Sequence, residues 1–352
     1  MTRTSNYEPL KGVEYRDHRL FFVDQTRLPL ELRVEESTSL ERALQAIIKL
    51  EVRGAPAIAT FAGYALALEA RRFADEASSA EALLTHALGS ADSLNRTRPT
   101  AVNLSRAMAR IKAAVEAFAP GRDKAELCAF LLKQAQDIER EDRELCARLG
   151  SLGSELIGQG ARIMTICNTG ALTTAGIGTA IGAFYTAHAE GKDITVFASE
   201  TRPLLQGARL TAWELDRAGI RTFLITDNMA AHILREERID MIMAGADRIA
   251  RNGDTANKIG TLGLAILARH FGIPFYIVAP TTTVDPATNC GEDIHIEERS
   301  ADEVRVFQGA RSAMEHIQVR NPAFDVTPAS LISAIVTERG IHRPPFDFSC
   351  SL

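Results

Sequence analysis

Residues 161–199 read ARIMTICNTGALTTAGIGTAIGAFYTAHAEGKDITVFAS, and this stretch decides the predicted fold. Apolar runs at ARIMTIC (161–167) and DITVFAS (193–199) lie on either side of a helical pattern at about 175–190. Strands that are apolar on both faces and alternate with helices are typical of a parallel sheet covered on both sides. The stretch therefore predicts the first βαβ unit of a doubly wound α/β sheet.

The same alternation continues toward the C-terminus. Further strand-like runs are IRTFLIT (220–226), IDMIMAG (239–245) and IPFYIVA (273–279). Helical patterns lie between the runs at 203–219, 227–236 and 256–272, and a last helix is predicted with Thr327 as its cap and Pro328 as its first residue. We expect residues 131–352 to form a Rossmann-like catalytic domain.

The N-terminal third has a different pattern, and we expect residues 1–130 to form a smaller, mainly helical domain with a few strands. Thr38 and Glu41 have the spacing of a capping box at the start of an amphipathic helix. The predicted strands are Glu14–Val23 and Leu30–Val34, and the predicted helices run from Thr38 to Val52, Pro56–Phe73, Glu81–Leu94, Pro99–Phe118 and Asp123–Leu149.

Composition narrows the class of protein. Of the 352 residues 46% are hydrophobic and 24% charged, with a net charge of −5, as in an ordinary globular protein without a nucleic-acid partner. The first residues lack the apolar core of a signal peptide, and no apolar run is long enough to span a membrane. The five cysteines form no disulfide framework, so we expect a reduced, cytoplasmic protein.

Motifs for other chemistries are weak or missing. Gly176, Gly178 and Gly182 lie too far beyond the predicted strand for a dinucleotide turn, and no Walker phosphate loop or nucleophile elbow occurs. The eight histidines are scattered, and Cys290 with His295 is an isolated pair. We therefore expect neither a metal site nor a nucleotide cofactor.

Polar residues at the predicted strand ends are the candidates for catalysis, because parallel sheets bind ligands beyond the carboxyl ends of their strands. Cys167 ends the first run, and Asp247 directly follows the apolar MIMAGA. At the rim of an apolar layer, partial desolvation of Asp247 would favour its protonated form and suit a general acid or base. Either residue alone is more simply read as structural, whereas together they form a plausible proton-transfer pair.

Three predicted helix starts suit an anion. Arg53-Gly54-Ala55 precedes Pro56, and Arg98 precedes Pro99; free backbone N–H groups beside a guanidinium can bind phosphate. The alternative is a proline-started helix with a surface arginine. In DTANKIG (254–260), Asp254 or Thr255 would cap a third helix with Asn257 and Lys258 in its first turn, where a lysine opposes the helix dipole unless an anion binds.

These stretches, in this order, resemble the 5-methylthioribose-1-phosphate isomerase family of methionine salvage. Its broader superfamily also includes ribose-1,5-bisphosphate isomerases and regulatory subunits of the eukaryotic translation initiation factor two B complex. The similarity covers almost the whole chain, through RGAPAI (53–58), TRPTAVNL (97–104), TICNTGAL (165–172), ETRPLLQGARLTAWEL (200–215), TDNMAA (226–231), GADRIARNGDTANKIGT (245–261), IPFYIVAP (273–280), IEER (296–299) and NPAFDVTP (321–328).

The resemblance implies an aldose–ketose isomerase with Cys167 and Asp247 as the catalytic pair. It implies a homodimer and no required metal or cofactor. Relatives often have His before the cysteine, where this chain has Ile166, which makes the pocket less polar. The implied substrate contacts are Arg53, Gly54, Ala55, Arg98, Gln206, Asn257 and Lys258.

Two other functions stay open at this point. An isomerase of ribose 1,5-bisphosphate would need a second basic cluster, whereas 5-deoxyribose 1-phosphate differs from the family's substrate only in lacking the methylthio group. A non-catalytic regulatory subunit would be expected to lose the cysteine, the aspartate or the Arg-Gly-Ala loop, and all three are present.

Overall fold

The computed structural model describes residues 8–98 and 101–349, which fall into two compact units. One unit comprises Leu10–Cys146 and Ala171–Gly178, and the other is built from residues 8–9, Ala147–Gly170 and the described residues from Thr179 onward. The elements in chain order are β1 (Val13–Arg16), β2 (Arg19–Val23), β3 (Val34–Glu36), α1 (Leu40–Ile48), α2 (Ala55–Phe73), α3 (Ala80–Arg96), α4 (Val102–Phe118), α5 (Lys124–Glu155), β4 (Arg162–Thr165), α6 (Ala180–Ala189), β5 (Thr195–Ser199), α7 (Ala212–Arg217), β6 (Arg221–Ile225), α8 (Ala230–Glu236), β7 (Met241–Ala244), β8 (Arg248–Ala250), β9 (Thr255–Lys258), α9 (Thr261–Phe271), β10 (Phe275–Val278), β11 (Val284–Asp285), α10 (Asp302–Arg305), β12 (Val306–Phe307), β13 (Ala310–Arg311), β14 (Phe324–Thr327), β15 (Ala334–Thr337) and β16 (Gly340–His342).

The N-terminal unit packs helices α1–α5 and the antiparallel sheet β1-β2-β3 around one apolar core. Helix α2 supplies more of this core than any other element, and its Phe61 meets Phe22 of β2 edge to face with ring centroids 5.2 Å apart. Ser39, rather than Thr38, caps α1 through a hydrogen bond from the backbone N–H of Arg42. The units divide between Cys146 and Ala147, within α5, and the boundary expected at residue 130 lies earlier in the same helix.

In the N-terminal unit a half-buried carboxyl group, that of Asp142, holds the segment 171–178 to helix α5. The Asp142 carboxylate accepts a hydrogen bond of 2.6 Å from the backbone N–H of Ala175. Burial raises the pKa of Asp142 to about 6, because the charged form loses its hydration. The ionised carboxylate is therefore a cost to this unit at neutral pH.

Asp142→Asn is expected to raise the Tm by a few degrees at pH 8, because the amide oxygen can still accept the Ala175 hydrogen bond without carrying a charge. Because the pKa of Asp142 is higher in the folded than in the unfolded state, the folded state holds the proton more tightly. The contribution of Asp142 to the free energy of unfolding therefore falls as pH rises from about 4 to about 6, by at most about 3 kcal/mol. The gain in Tm should therefore be smaller at pH 5 than at pH 8, and thermal unfolding at both pH values measures it.

Asp137→Asn on the same helix is the matched control, because Asp137 pairs with Arg140 at 3.2 Å near the surface. Such a pair contributes less than about 1 kcal/mol, so little change in Tm is expected. A Tm gain for Asp142→Asn that is equal at pH 5 and pH 8 would contradict the assigned cause.

The C-terminal unit confirms the predicted doubly wound fold. Among the described residues, seven strands form one sheet in the order β16-β15-β10-β7-β4-β5-β6, and every neighbouring pair is parallel except β15 with β16. In chain order the six parallel strands therefore lie as 3-2-1-4-5-6, which is the order of dinucleotide-binding α/β folds. Strands β5, β7 and β15 are buried along their whole length because helices cover both faces.

Two predictions for this unit are wrong. Residues 255–258 form strand β9 instead of the first turn of a helix, and α9 begins only at Thr261. Thr327 ends strand β14, opposite Thr255 of β9, so it caps no helix. The chain then turns into the buried strand β15, whose sequence AIVT is β-branched and apolar.

Candidate active site

The carboxyl ends of β4 and β7 are adjacent at the point where the strand order of the sheet reverses. The two strands pair in parallel with Ile163 opposite Met241, and the Thr165 hydroxyl donates to the carbonyl of Met243 over 2.8 Å. The loops that follow also touch, since a Cβ atom on Gly245 would lie 2.6 Å from Cγ2 of Thr169. Residues just beyond both strands therefore share one edge, where open α/β sheets bind ligands.

Cys167 lies beyond the end of β4 in a conformation that is unusual for a residue with a side chain. It is half-buried, with φ 65°, in the left-handed region. Its backbone N–H donates to the Thr201 hydroxyl oxygen over 2.8 Å, and its carbonyl accepts from the Thr211 hydroxyl over 2.5 Å. Strained backbone of this kind persists only where surrounding contacts hold it, and it is frequent at functional sites.

Asp247 follows β7 and begins the β8–β9 hairpin. Its backbone N–H donates to the carbonyl of Ala256 over 2.9 Å, so Asp247 lies beside the strand that carries Asn257. The residue is exposed, and the expected burial at an apolar rim is therefore wrong. Desolvation of this carboxylate thus depends on a molecule that covers it.

Gln206 is a buried residue between strand β5 and helix α7. It is 5% exposed and precedes a π-helical segment, Gly207–Thr211. Within the described part of the chain its Oε1 atom is buried and has no hydrogen-bond partner. A buried amide oxygen without a partner is costly, and π-helical turns are frequent at functional sites. Both features favour a ligand contact at Gln206.

Asn257 and Lys258 lie at the end of β9, where successive side chains leave a strand on opposite faces. Asn257 donates to the Thr261 hydroxyl over 3.0 Å. The Lys258 ammonium donates to the carbonyl of Ala323 over 3.0 Å and lies 4.7 Å from the ring centroid of Phe324. Because an ammonium has three N–H groups, Lys258 keeps donors for an anion.

The N-terminus of α9 is capped from a neighbouring strand. The Asp325 carboxylate of β14 accepts from the backbone N–H groups of Gly260 and Leu262 over 2.7 and 3.0 Å. Burial raises the pKa of Asp325. Neither Asp254 nor Thr255, which the sequence suggested as caps, takes this role.

In the N-terminal unit, Arg53, Gly54 and Ala55 form the start of helix α2. Gly54 has φ 93°, and a Cβ atom there would lie 2.5 Å from Cβ of Thr173, so only glycine fits. Helix α2 begins at Ala55, with Pro56 second and no side-chain cap. A glycine at the N-cap position cannot cap the helix with its own side chain, which is compatible with the predicted anion site.

Arg98 is half-buried, and its carbonyl accepts from Ala101 over 2.9 Å just before helix α4. This helix begins at Val102 and also lacks a side-chain cap. The predicted start at Pro99 lies outside the described residues.

Sequence reasoning assigned no role to the polar residues that hold the strand-end loops. The Asp227 carboxylate accepts from the Ser199 hydroxyl and from the backbone N–H groups of Thr201 and Arg202 over 2.9 and 2.7 Å. Asn168 donates to Thr211 over 3.2 Å and to the buried Glu214 carboxylate over 2.6 Å. Asp227 and Thr201 were recognisable as strand ends, whereas Thr211 and Glu214 read as ordinary helix residues.

Ile166, which precedes the cysteine, belongs to the apolar core of the C-terminal unit. It is 2% exposed, and its Cδ1 atom approaches Gly260.

No cluster of three or more His, Cys, Asp or Glu side chains in residues 8–98 and 101–349 could hold a metal ion. None of the described helices is both long and apolar enough to cross a membrane.

Comparison with known proteins places the chain in a family. Residues 51–344 match the model of the initiation factor 2 subunit family. A methylthioribose-1-phosphate isomerase from Pelotomaculum thermopropionicum is 50% identical over 331 residues, which are 94% of this chain and 90% of that protein.

Solved structures agree with this placement. The crystal structure of 5-methylthioribose 1-phosphate isomerase from Pyrococcus horikoshii superposes with a TM-score of 0.90 at 42% identity, covering 97% of this chain and 96% of that one. A structure described as translation initiation factor eIF-2B, subunit delta, from A. fulgidus superposes with a TM-score of 0.87 at 40% identity, and the match covers 96% of each chain. The chain therefore belongs to the initiation factor 2 subunit family and, within it, to the methylthioribose-1-phosphate isomerases.

Proposed function

We propose that the protein converts 5-methylthioribose 1-phosphate to 5-methylthioribulose 1-phosphate in methionine salvage. The observation that carries the proposal is the position of Cys167 and Asp247 just beyond adjacent strands β4 and β7, at the reversal point of the sheet. A thiol and a carboxylate at this edge are suited to the proton transfers of an aldose–ketose isomerisation. The names of the relatives support the same substrate.

The substrate explains why an acid is needed. Phosphate on the anomeric oxygen prevents simple opening of the ring to a free aldehyde. Asp247 therefore protonates the ring oxygen, the bond between that oxygen and C1 breaks, and the cation at C1 keeps its phosphate ester. The carboxylate then accepts the proton of the C2 hydroxyl as the C2 ketone forms.

Cys167 acts between C1 and C2 by one of two routes. In the proton route its thiolate removes the C2 proton, and the resulting thiol protonates C1 of the enol. In the hydride route the C2 hydrogen moves to C1 with its electron pair, and the side chain only shields the cation. Because Cys167 is half-buried and Asp247 exposed, the bound substrate itself must complete the exclusion of water that this intermediate needs.

Solvent deuterium separates the two routes. Deuterium at C1 of the product formed in D2O is the result expected for proton transfer through Cys167. Complete absence of deuterium at C1 would favour the hydride route, in which Cys167 has a shielding role.

The remaining assignments stay predictions. The expected substrate contacts are Gln206, Asn257 and Lys258 of the C-terminal unit and Arg53, Gly54, Ala55 and Arg98 of the N-terminal unit. Gln206 has the best support, since its buried amide oxygen lacks a partner within the described residues. The homodimer, the cytoplasmic location and the independence from a metal or cofactor also stay predictions.

The test of function is turnover of a defined substrate. Purified protein with 5-methylthioribose 1-phosphate is expected to yield the ketose, followed by NMR, and 5-deoxyribose 1-phosphate is expected to react more slowly. The preference is limited because a small apolar group contributes only about 1–3 kcal/mol. Turnover of ribose 1,5-bisphosphate alone would overturn the substrate, and no turnover of any of the three would favour a regulatory subunit.

A further inference from the structure

We propose that Thr201 and Thr211 are positioning residues that fix the direction of the Cys167 thiol. The proposal rests on the function proposed above for Cys167. It goes beyond that function because it assigns how the protein aims the thiol. The two hydroxyl groups hold the peptide groups on either side of the Cys167 Cα atom.

The backbone of Cys167 needs such support. With φ 65°, its backbone is in the left-handed region, which is unfavourable for an L-residue other than glycine. The Thr201 oxygen accepts the N–H of Cys167, and the Thr211 hydroxyl donates to its carbonyl. Since φ and ψ fix the direction of the Cα–Cβ bond, these two contacts determine where the thiol can point.

Thr201 is itself rigidly held. It is 0% exposed, its hydroxyl donates to the carbonyl of Ser199 over 3.0 Å, and its backbone N–H donates to Asp227. Ser199 is the last residue of strand β5, and Asp227 follows β6. The position of Cys167 beyond β4 is therefore tied to the ends of the next two strands of the sheet.

Thr211 provides the second anchor from a different element. It ends the π-helical segment, is 0% exposed, and accepts a hydrogen bond from the side chain of Asn168. Asn168 also donates to Glu214 of α7. The Cys167-Asn168 segment is thus fixed from two directions, and both contacts to Cys167 involve only its backbone.

A mainly structural role predicts a different outcome from a positioning role. Valine has nearly the shape of threonine, and Thr201→Val removes the acceptor of the Cys167 N–H, which is expected to destabilise the fold. If Thr201 has only a structural role, the stability of the protein should fall, but the properties of the thiol at temperatures well below unfolding should not change. Positioning predicts that kcat and the accessibility of the thiol also change, and that serine restores both.

The experiment compares Thr201→Val, Thr201→Ser and Thr211→Val in the full chain. We expect the two valine variants to lose about tenfold to a hundredfold in kcat with KM changed less than about threefold, because misplacement by about 1 Å can cost a hundredfold. Thr201→Ser should stay within about threefold of the unaltered protein, since it keeps the hydroxyl.

A second readout does not depend on turnover. Iodoacetamide labelling, followed by peptide mass spectrometry, gives the rate at Cys167 relative to Cys290, which is half-buried in a separate loop. In both valine variants this ratio should change by at least about fivefold, the scale of roughly 1 kcal/mol. Thr327→Val is the matched control, because Thr327 is 0% exposed and within the described residues its hydroxyl has no partner.

The outcomes separate this proposal from the proposed function. An unchanged kcat and labelling ratio in both valine variants overturns positioning, as does an equal loss in Thr201→Ser or an equal shift of the ratio in Thr327→Val. A changed ratio together with full activity of a Cys167→Ser variant supports positioning and overturns the role of the thiol in the reaction.

Discussion

Asp247→Asn and Cys167→Ser are each expected to lower kcat by about 10²- to 10⁴-fold, the usual contribution of a positioned acid or base. Asparagine has the shape of aspartate but cannot deliver a proton to the ring oxygen, and serine supplies a much weaker acid than a thiol. Thr201 and Thr211 hold Cys167 through its backbone, and the backbone N–H of Asp247 donates to Ala256, so these contacts survive both substitutions. The variants should therefore keep the fold, and steady-state turnover with thermal unfolding measures both properties.

The loop after β11 offers a matched pair of controls. Cys290 and Asp293 are a second cysteine and aspartate, with 3.6 Å between Sγ and Oδ2. Cys290→Ser and Asp293→Asn repeat the same chemical changes outside the candidate site and are expected to leave kcat unchanged. Nearly full activity of both Cys167→Ser and Asp247→Asn would remove the catalytic assignment, whereas equal losses in the controls would point to a general defect.

Five of the seven strands of the large sheet could be located from sequence as apolar runs. Burial on both faces explains the runs of β4, β5, β7 and β10, whereas β6, at the edge of the sheet, is mostly exposed. The candidate pair followed from the same reasoning, since Cys167 and Asp247 come directly after two of these runs. That β4 and β7 are neighbours depends on strand order, which the runs themselves do not contain.

Strand β9 shows why other parts could not be predicted. Its sequence TANK is polar and carries no strand signal, and it becomes a strand because β14 pairs with it from far along the chain. Thr201 and Thr211 illustrate the same limit at the site. Their hydroxyls matter because three separate segments meet at Cys167, and no local pattern records such a meeting.

Gly207→Ala is expected to have the largest effect of any single added methyl group near the site. A Cβ atom at residue 207 would lie 1.7 Å from the carbonyl oxygen of Ser199 and 2.9 Å from the Thr201 hydroxyl oxygen. Ser199 is 1% exposed and ends the buried strand β5, so its backbone has little freedom to move away. The π-helical segment must shift instead, at a cost of about 3 kcal/mol or more, the upper range for overpacking.

That shift should reach the site, because the same segment carries Thr211 and directly follows Gln206. We expect the Tm to fall by roughly 5–10 °C for about 3 kcal/mol, and kcat to fall by about a hundredfold at a temperature where the variant is folded. Gly263→Ala is the control, because a Cβ atom there meets nothing within 4 Å and alanine favours helix α9 by about 0.5–1 kcal/mol. An unchanged Tm in Gly207→Ala would mean that the strand end yields to the methyl group. Loss of stability with full activity would show instead that the position of Thr211 does not control Cys167.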